Sequence, residues 1–249
     1  KAEKLYARYA KPVSTFEELQ NINLSPEQNY VLQNDIKLGD VVWDESGLVS
    51  WTAIGAGNPR GFSGTFNGNG YKISFSAKSG TEQGFGLFSK ISGTVYNLSV
   101  VGYFSISGTT DATALGAFAG EVTASGRIID CVSFMRFTVS VKANQRLSVS
   151  GAIGVNNGLI DGFMTSASGE INIDSDKEFS VGSTVGTNNG TMKNVNQSGR
   201  GGSVYVTLAR SLNCNIGSFT GYKSGKIENC ISERAITIKL SQGHNLYHE

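Results

Sequence analysis

Three prolines in 249 residues leave no room for a polyproline or collagen-like chain, and the glycines, though numerous, follow no three-residue period. Charged residues are sparse at 16%, against about 25% in an ordinary globular chain, and they nearly cancel to a net +1. That balance supplies no electrostatic case for nucleic acid or for an anionic membrane surface as a partner. No stretch comes near the ~20 consecutive apolar residues that span a bilayer, so membrane insertion is not expected. The chain opens on Lys1-Ala2-Glu3 without a signal-peptide pattern, and it reads as a mature chain or as a domain of a larger parent.

What is abundant is glycine, 32 residues, falling between β-branched runs where it marks turns between strands. One short phrase recurs five times: Gly93-Thr-Val-Tyr-Asn97-Leu98, Gly126-Arg-Ile-Ile-Asp130-Cys131, Gly158-Leu-Ile-Asp-Gly162-Phe163, Gly190-Thr-Met-Lys-Asn194-Val195 and Gly225-Lys-Ile-Glu-Asn229-Cys230. The leading glycines step by 33, 32, 32 and 35 residues, the one-dimensional trace of a stacked solenoid. The leading glycine is expected to take a tight turn with φ > 0. The fifth position, restricted to Asn, Asp or Gly, is expected to bend left-handed between two strands.

Two apolar columns accompany the phrase: Val95, Ile128, Ile160, Met192 and Ile227, then Leu98, Cys131, Phe163, Val195 and Cys230. No coil holds enough apolar side chains to bury itself, so each column becomes core only by stacking. An alternating strand follows each phrase, at residues 104–106, 137–141, 171–173, 204–208 and 236–240. With the strand around Leu87 and Phe88 and its counterparts, each coil should show three faces. The sequence thus predicts an all-β chain, a single right-handed parallel β-helix of ~33-residue coils, its hand following the general preference of parallel crossovers. The periodic aromatics Tyr71, Phe75, Phe85, Phe88, Phe104, Phe118, Phe134, Phe137 and Phe163 are expected to stack in its core, whereas Trp43 and Trp51 fall in an irregular stretch.

Residues 1–60 read as a lead-in and cap, residues 61–249 as the repeats. Ser14-Thr15-Phe16-Glu17-Glu18-Leu19 carries a capping-box pattern, which predicts a short helix at about residues 15–22 laid across the first coil with Phe16 and Leu19 on one face. The last coil has no such segment, so a further domain or a subunit contact is expected to cover it. Cys131 and Cys230 share an inward column three coils apart, ~14 Å at ~4.8 Å per strand, too far for a disulfide. Together with Cys214 they are expected to be buried free thiols.

Trp51-Thr-Ala-Ile-Gly55, Phe62-Ser-Gly-Thr-Phe-Asn-Gly-Asn-Gly-Tyr71-Lys-Ile73 and Gly86-Leu87-Phe88 resemble the opening of β-helical domains built from the GLUG repeat. Val13-Ser-Thr-Phe-Glu-Glu-Leu19 and Tyr30-Val-Leu-Gln-Asn-Asp-Ile36 are also similar to that family's opening segment, so the resemblance spans about residues 13–235. Later copies diverge, as Gly116-Ala-Phe118, Gly151-Ala-Ile-Gly154, Ser183-Thr-Val-Gly186 and Ser218-Phe-Thr-Gly221. The family occurs in bacterial surface proteins and upstream of the zinc domain in M26-type immunoglobulin A1 proteases. The resemblance therefore implies an extracellular or cell-surface location and a non-catalytic spacer, binding or adhesion module, with a host glycan or a glycoprotein such as immunoglobulin as partner.

The variable turns all leave one edge of the coil, after the third strand, and solenoid insertions collect where they disturb the stack least and can carry contacts. Candidate binding residues on that edge are Lys142, Arg146, Asp174, Asp176, Glu178 and Arg210. The loop Asp174-Ser-Asp176-Lys-Glu178 places carboxylates on alternate residues but lacks the turn glycine and ligand spacing of a calcium loop, so no metal is expected there. His244-Asn-Leu-Tyr-His248 has zinc-ligand spacing without the catalytic glutamate. No metal, cofactor or catalytic residue is predicted. The competing reading is a polysaccharide lyase or glycoside hydrolase, which would need two carboxylates facing each other in one groove.

Overall fold

The fifth position of the phrase bends left-handed in every copy. Asn97, Asp130, Asn194 and Asn229 have φ of 51° to 53°, Gly162 has 68°, and Asn69 joins them one coil upstream at 53°. Asn and Asp tolerate this region better than other side chains, and here the corner is also tied across coils, Asn194 donating to Asp161 Oδ1 of the preceding coil at 2.8 Å. The bend closes a three-residue strand and sends the chain into the longest strand of the coil.

In the computed structural model, which describes residues 9–38, 47–79, 85–199, 203–208, 214–233 and 235–240, these strands stack in parallel as a β-solenoid of about six turns. The phrase strands Thr94–Tyr96, Arg127–Ile129, Leu159–Asp161, Thr191–Lys193 and Lys226–Glu228 lie in unbroken register, with Val95, Ile128, Ile160, Met192 and Ile227 forming one column. Tyr30 and Phe66 extend that column upstream. The long strands Ser99–Thr110 and Val132–Ala143 pair over their full length in an eleven-stranded sheet, which Ser168–Ser175, Val204–Leu208 and Ile236–Leu240 continue.

The leading glycine has a different reason from the one expected. Its φ is not left-handed; a Cβ there would run into the backbone of the coil before, at Gly64 for Gly93, Gly126 for Gly158, Gly158 for Gly190 and Gly190 for Gly225. Those same carbonyls accept the next ladder bonds, from Thr94, Leu159, Thr191 and Lys226 at 2.8 to 3.1 Å. Close approach of backbones, not turn geometry, excludes a side chain.

Each coil has four faces rather than three. Between the long strand and the phrase lie two short sheets, of four and five strands, joined by a two-residue corner. Ala114–Gly116 turns through Ala117 and Phe118 into Ala119–Val122, and Phe179–Gly182 turns through Ser183 and Thr184 into Val185–Asn188. A Cβ on Gly120, Gly154, Gly186 or Gly221 would sit 2.6 to 2.8 Å from a backbone nitrogen of the facing short sheet. The divergent Gly-Leu-Phe copies are thus arches whose two short sheets come closest at a glycine, with the Ser148 and Thr187 hydroxyls bonded across them at 2.7 Å. The extra face escaped the sequence because its strands are only three or four residues long and a two-residue corner lets Leu147-Ser-Val149 and Ile153-Gly-Val155 read as one apolar run, although Leu147, Val149, Phe179 and Val181 are buried on it.

The core changes chemistry along the axis. In the first coils Phe62, Phe66, Phe75, Phe85, Phe88, Phe104 and Phe118 are fully buried, with neighbouring ring centroids such as Phe62–Phe88 at 5.6 Å and Phe75–Phe104 at 5.5 Å. The predicted aromatic stack holds except at Phe134, which is 40% exposed on the outer face, and Tyr71, which is half-buried. Trp51 is buried edge-on to Phe75 and donates its indole N–H to Gly86 at 3.2 Å, whereas Trp43 lies outside the described residues. Later coils bury amides and hydroxyls: Asn156 donates to Asn188 Oδ1 at 2.7 Å, Asn188 to the Lys226 carbonyl at 3.4 Å, and Gln197 to Ser183.

The N-terminal end is closed. Thr15 caps the helix Phe16–Gln20 in a capping box with Glu18, and a 3-10 turn Asn21–Leu24 follows. Leu19 and Ile22 are wholly buried, Phe16 packs on Trp51 at 5.9 Å, and Gln20 and Asn23 bond Thr52. At the other end inward columns open: Ile227 and Cys230 are half-buried, and Ile238, in register with the buried Val206, is 50% exposed. The expectation of three buried thiols is corrected accordingly. Cys131 is buried, Cys230 is intermediate and Cys214 is exposed, because the latter two belong to the final coil.

Candidate functional site

The long strands carry Lys142 and Asp174 at their ends, and the turns that follow carry Arg146, Asp176 and Glu178 on the same edge. Register places Lys142 between Thr109 and Asp174 on adjacent rungs, where with Ser140, Asn172 and Thr207 they line a shallow hollow of about 350 Å³. Beyond the strand ends the turns fasten to one another. Arg146 pairs with Glu178 at 3.0 Å, Lys177 with Asp176 at 3.2 Å, and Asn144 donates to Asp111 Oδ1 at 3.0 Å. The structure thus gathers Lys142 with Asp174 and Arg146 with Glu178, and it ties Asp176 back to its neighbour. Arg210, His244 and His248 lie outside the described residues.

Electrostatically this edge is self-compensated. The Arg146–Glu178 pair is half exposed, so its strength is that of a screened surface pair, ~0–1 kcal/mol. Among the described residues no group of three or more His, Cys, Asp or Glu is placed to hold a metal ion. The carboxylates of the 174–178 loop do not converge: Glu178 turns to Arg146 and Asp176 to Lys177.

At the N-terminal head of the same edge the turn residues meet the loop that precedes the first full coil. Asn58 and Pro59 on one side and Lys90, Asp111, Glu121 and Gln145 on the other enclose a cleft of about 420 Å³. Lys90 and Glu121 stand on neighbouring rungs and pair at 3.5 Å, while Glu121 Oε1 accepts from Asn157 at 3.1 Å. Gln145 donates its amide to the Asp111 carbonyl at 3.3 Å. The sequence reading passed over Lys90 and Glu121. Their signal was positional: both occupy the outward site two residues into the strand after an arch, a column continued by Val155, Thr187 and Tyr222.

A further groove of about 420 Å³ runs along the phrase face, where Arg127, Lys193 and Lys226 are the cations. Glu228 answers them: hydrogen bonding by Lys226, reinforced by the charges of Lys226 and Lys193, holds its carboxyl below the ordinary value. Burial pushes the Cys131 thiol up to about 12, with the Asp130 charge adding to the effect against hydrogen bonds from the backbone, so at neutral pH it is a protonated apolar side chain.

No family model and no curated protein sequence matches this chain. Among solved structures, its fold is similar to that of a Bacteroides ovatus protein provisionally described as an immunoglobulin A1 protease, with a TM-score of 0.55 and 17% identity over 93% of this chain and 77% of that one. At such identity the likeness is one of fold.

Proposed function

We propose that this chain is a non-catalytic β-solenoid module that serves as a spacer and binding element of a bacterial surface protein, in the setting of an M26-like protease. The observation that carries this reading is the stack itself: parallel register runs from Lys11 to Leu240, and among the described residues the turns at 108–113, 142–146 and 174–178 leave at one edge. Such a stack is stiff along its axis, and its turns can vary without touching the core. The fold it shares with a protein provisionally described as an immunoglobulin A1 protease supports the protease setting, and the GLUG-like segments support the surface location.

A second reading, a carbohydrate-active enzyme, is favoured by one feature: Asp111 and Glu121 line the same cleft. Paired carboxylates can act as acid and base across a glycosidic bond. Binding of the isolated domain to a glycan array and to secreted immunoglobulin A, with turnover of any hit followed over a day, separates the two. Saturable binding without product supports the module. Released oligosaccharide would overturn it in favour of the enzyme.

A further inference from the structure

We infer that the cleft between the 55–60 loop and the head of the turn edge is a recognition site for a neutral saccharide. The inference rests on the binding-module reading above and assigns that module's ligand class and location. Its volume of about 420 Å³ falls within the range of small-molecule sites and accommodates one or two sugar rings.

Charge excludes the obvious alternatives. Of the ionisable groups on the lining, Lys90 is positive, and Asp111 and Glu121 are negative. Among the described residues Lys90 is the single cation of the lining, and it is paired with Glu121, so a phosphate, a sulfate or a polyanion would meet net repulsion. A metal ion finds only two carboxylates, one of them engaged by Lys90 and Asn157.

What the cleft presents instead is a mixture of donors and acceptors. Asp111 Oδ1 is taken by Asn144, which leaves Oδ2 to accept. Gln145 has spent its amide N–H on the Asp111 carbonyl, which leaves its oxygen to accept, and Asn58 has spent its oxygen on the Arg60 N–H, which leaves its amide to donate. The Thr113 hydroxyl does both. A sugar hydroxyl is the ligand group that donates and accepts at once, so a run of vicinal hydroxyls matches this alternation. Pro59 supplies exposed apolar surface for the C–H face of the ring, with Ala112 and Ala114 buried in the facing wall. The walls are held in place without the ligand: Gly55 and Asn58 belong to a turn fixed by Asn23 at 2.7 Å, and Ala112 is fixed by the Thr110 hydroxyl at 3.0 Å.

Saturation-transfer NMR of the full chain with lactose, N-acetyllactosamine, chitotriose and cellotriose, each at millimolar concentration, tests the site. Transfer to at least one of these is expected, weakened about tenfold by Asp111→Ala, the loss of one charge-assisted hydrogen bond, and abolished by Thr113→Trp, which fills the cleft. These exposed positions leave the stack intact, which circular dichroism verifies. Transfer to none of the four, or transfer that survives Thr113→Trp, overturns the cleft as the site. If transfer persists in Thr113→Trp but is lost in Lys142→Ala with Arg146→Ala, the cleft assignment falls while the module reading stands. Product release during the titration would instead overturn the module reading.

Discussion

The first and last thirds of the solenoid share one backbone and differ in what fills it. Between Trp51 and Phe118 the interior is a pile of phenylalanine rings; from Asn156 onward it carries buried asparagine, glutamine, serine and threonine. Rings gain from area and shape, roughly 1.5–3 kcal/mol for each fully buried side chain, and they tolerate a shifted neighbour. Amides gain little net energy from their bonds and lose much if a partner is missing. Asn156 and Asn188 bond only when the coils are stacked in one register, so the polar end fixes alignment where the aromatic end supplies cohesion. The comparison teaches that a repeat can hold its backbone constant while dividing stability and register between its ends.

The comparison can be broken at several points. The largest effect is expected where both ends rely on the same feature. Gly93→Val at the aromatic end drives a side chain into the Gly64 carbonyl, and a loss above about 4 kcal/mol, seen as collapse of the thermal transition in circular dichroism, should be matched by Gly190→Val at the polar end. If either valine is tolerated, close backbone approach is not the reason for the glycine.

Next, Phe88→Ala removes a ring packed on Phe62, Phe66 and Phe118 and should cost about 3–5 kcal/mol in urea unfolding. Asn188→Ala removes the nearer acceptor of the Asn156 amide, leaving it the longer bond to the Thr191 carbonyl at 3.4 Å, and should cost about 1–3 kcal/mol. Equal losses for the two would erase the distinction drawn between the ends.

Cys131 sharpens the comparison through pH. Its folded pKa of about 12 lies above that of an unfolded thiol, so its contribution is fully present below the unfolded value near 9 and is lost as pH rises toward 12. Between pH 8 and pH 10 the wild type should lose about 1 kcal/mol more than Cys131→Ala, which keeps only the loss from other groups raised by burial, such as Cys214 and Tyr30. Maleimide should label Cys214 first, Cys230 more slowly and Cys131 only on unfolding, following their exposure. The smallest effect is at the turn edge, where Arg146→Ala should change stability by no more than about 1 kcal/mol and by less in high salt.

Much of this architecture was legible in the chain. Asn97, Asp130, Gly162, Asn194 and Asn229 announced a left-handed corner, and the columns through Ile128 and Phe163 announced what the corner buries. Thr15 and Glu18 announced the cap. The cleft was not legible, because Asn58, Lys90, Asp111 and Gln145 come from four separate segments and no local pattern links them. Arg146 and Glu178 could be placed near one edge by position, but their pairing depended on the reach of side chains across rungs.

What the sequence determined by itself was the repeat, its period and the inward columns, since these follow from residue type and spacing along one dimension. What tertiary structure decided was the fourth face, the true reason for the leading glycines, the exposure of Cys214 and the meeting of Asp111 with Lys90 and Glu121. Each of these depends on how closely one coil lies on the next, a distance between chain segments that no single repeat contains.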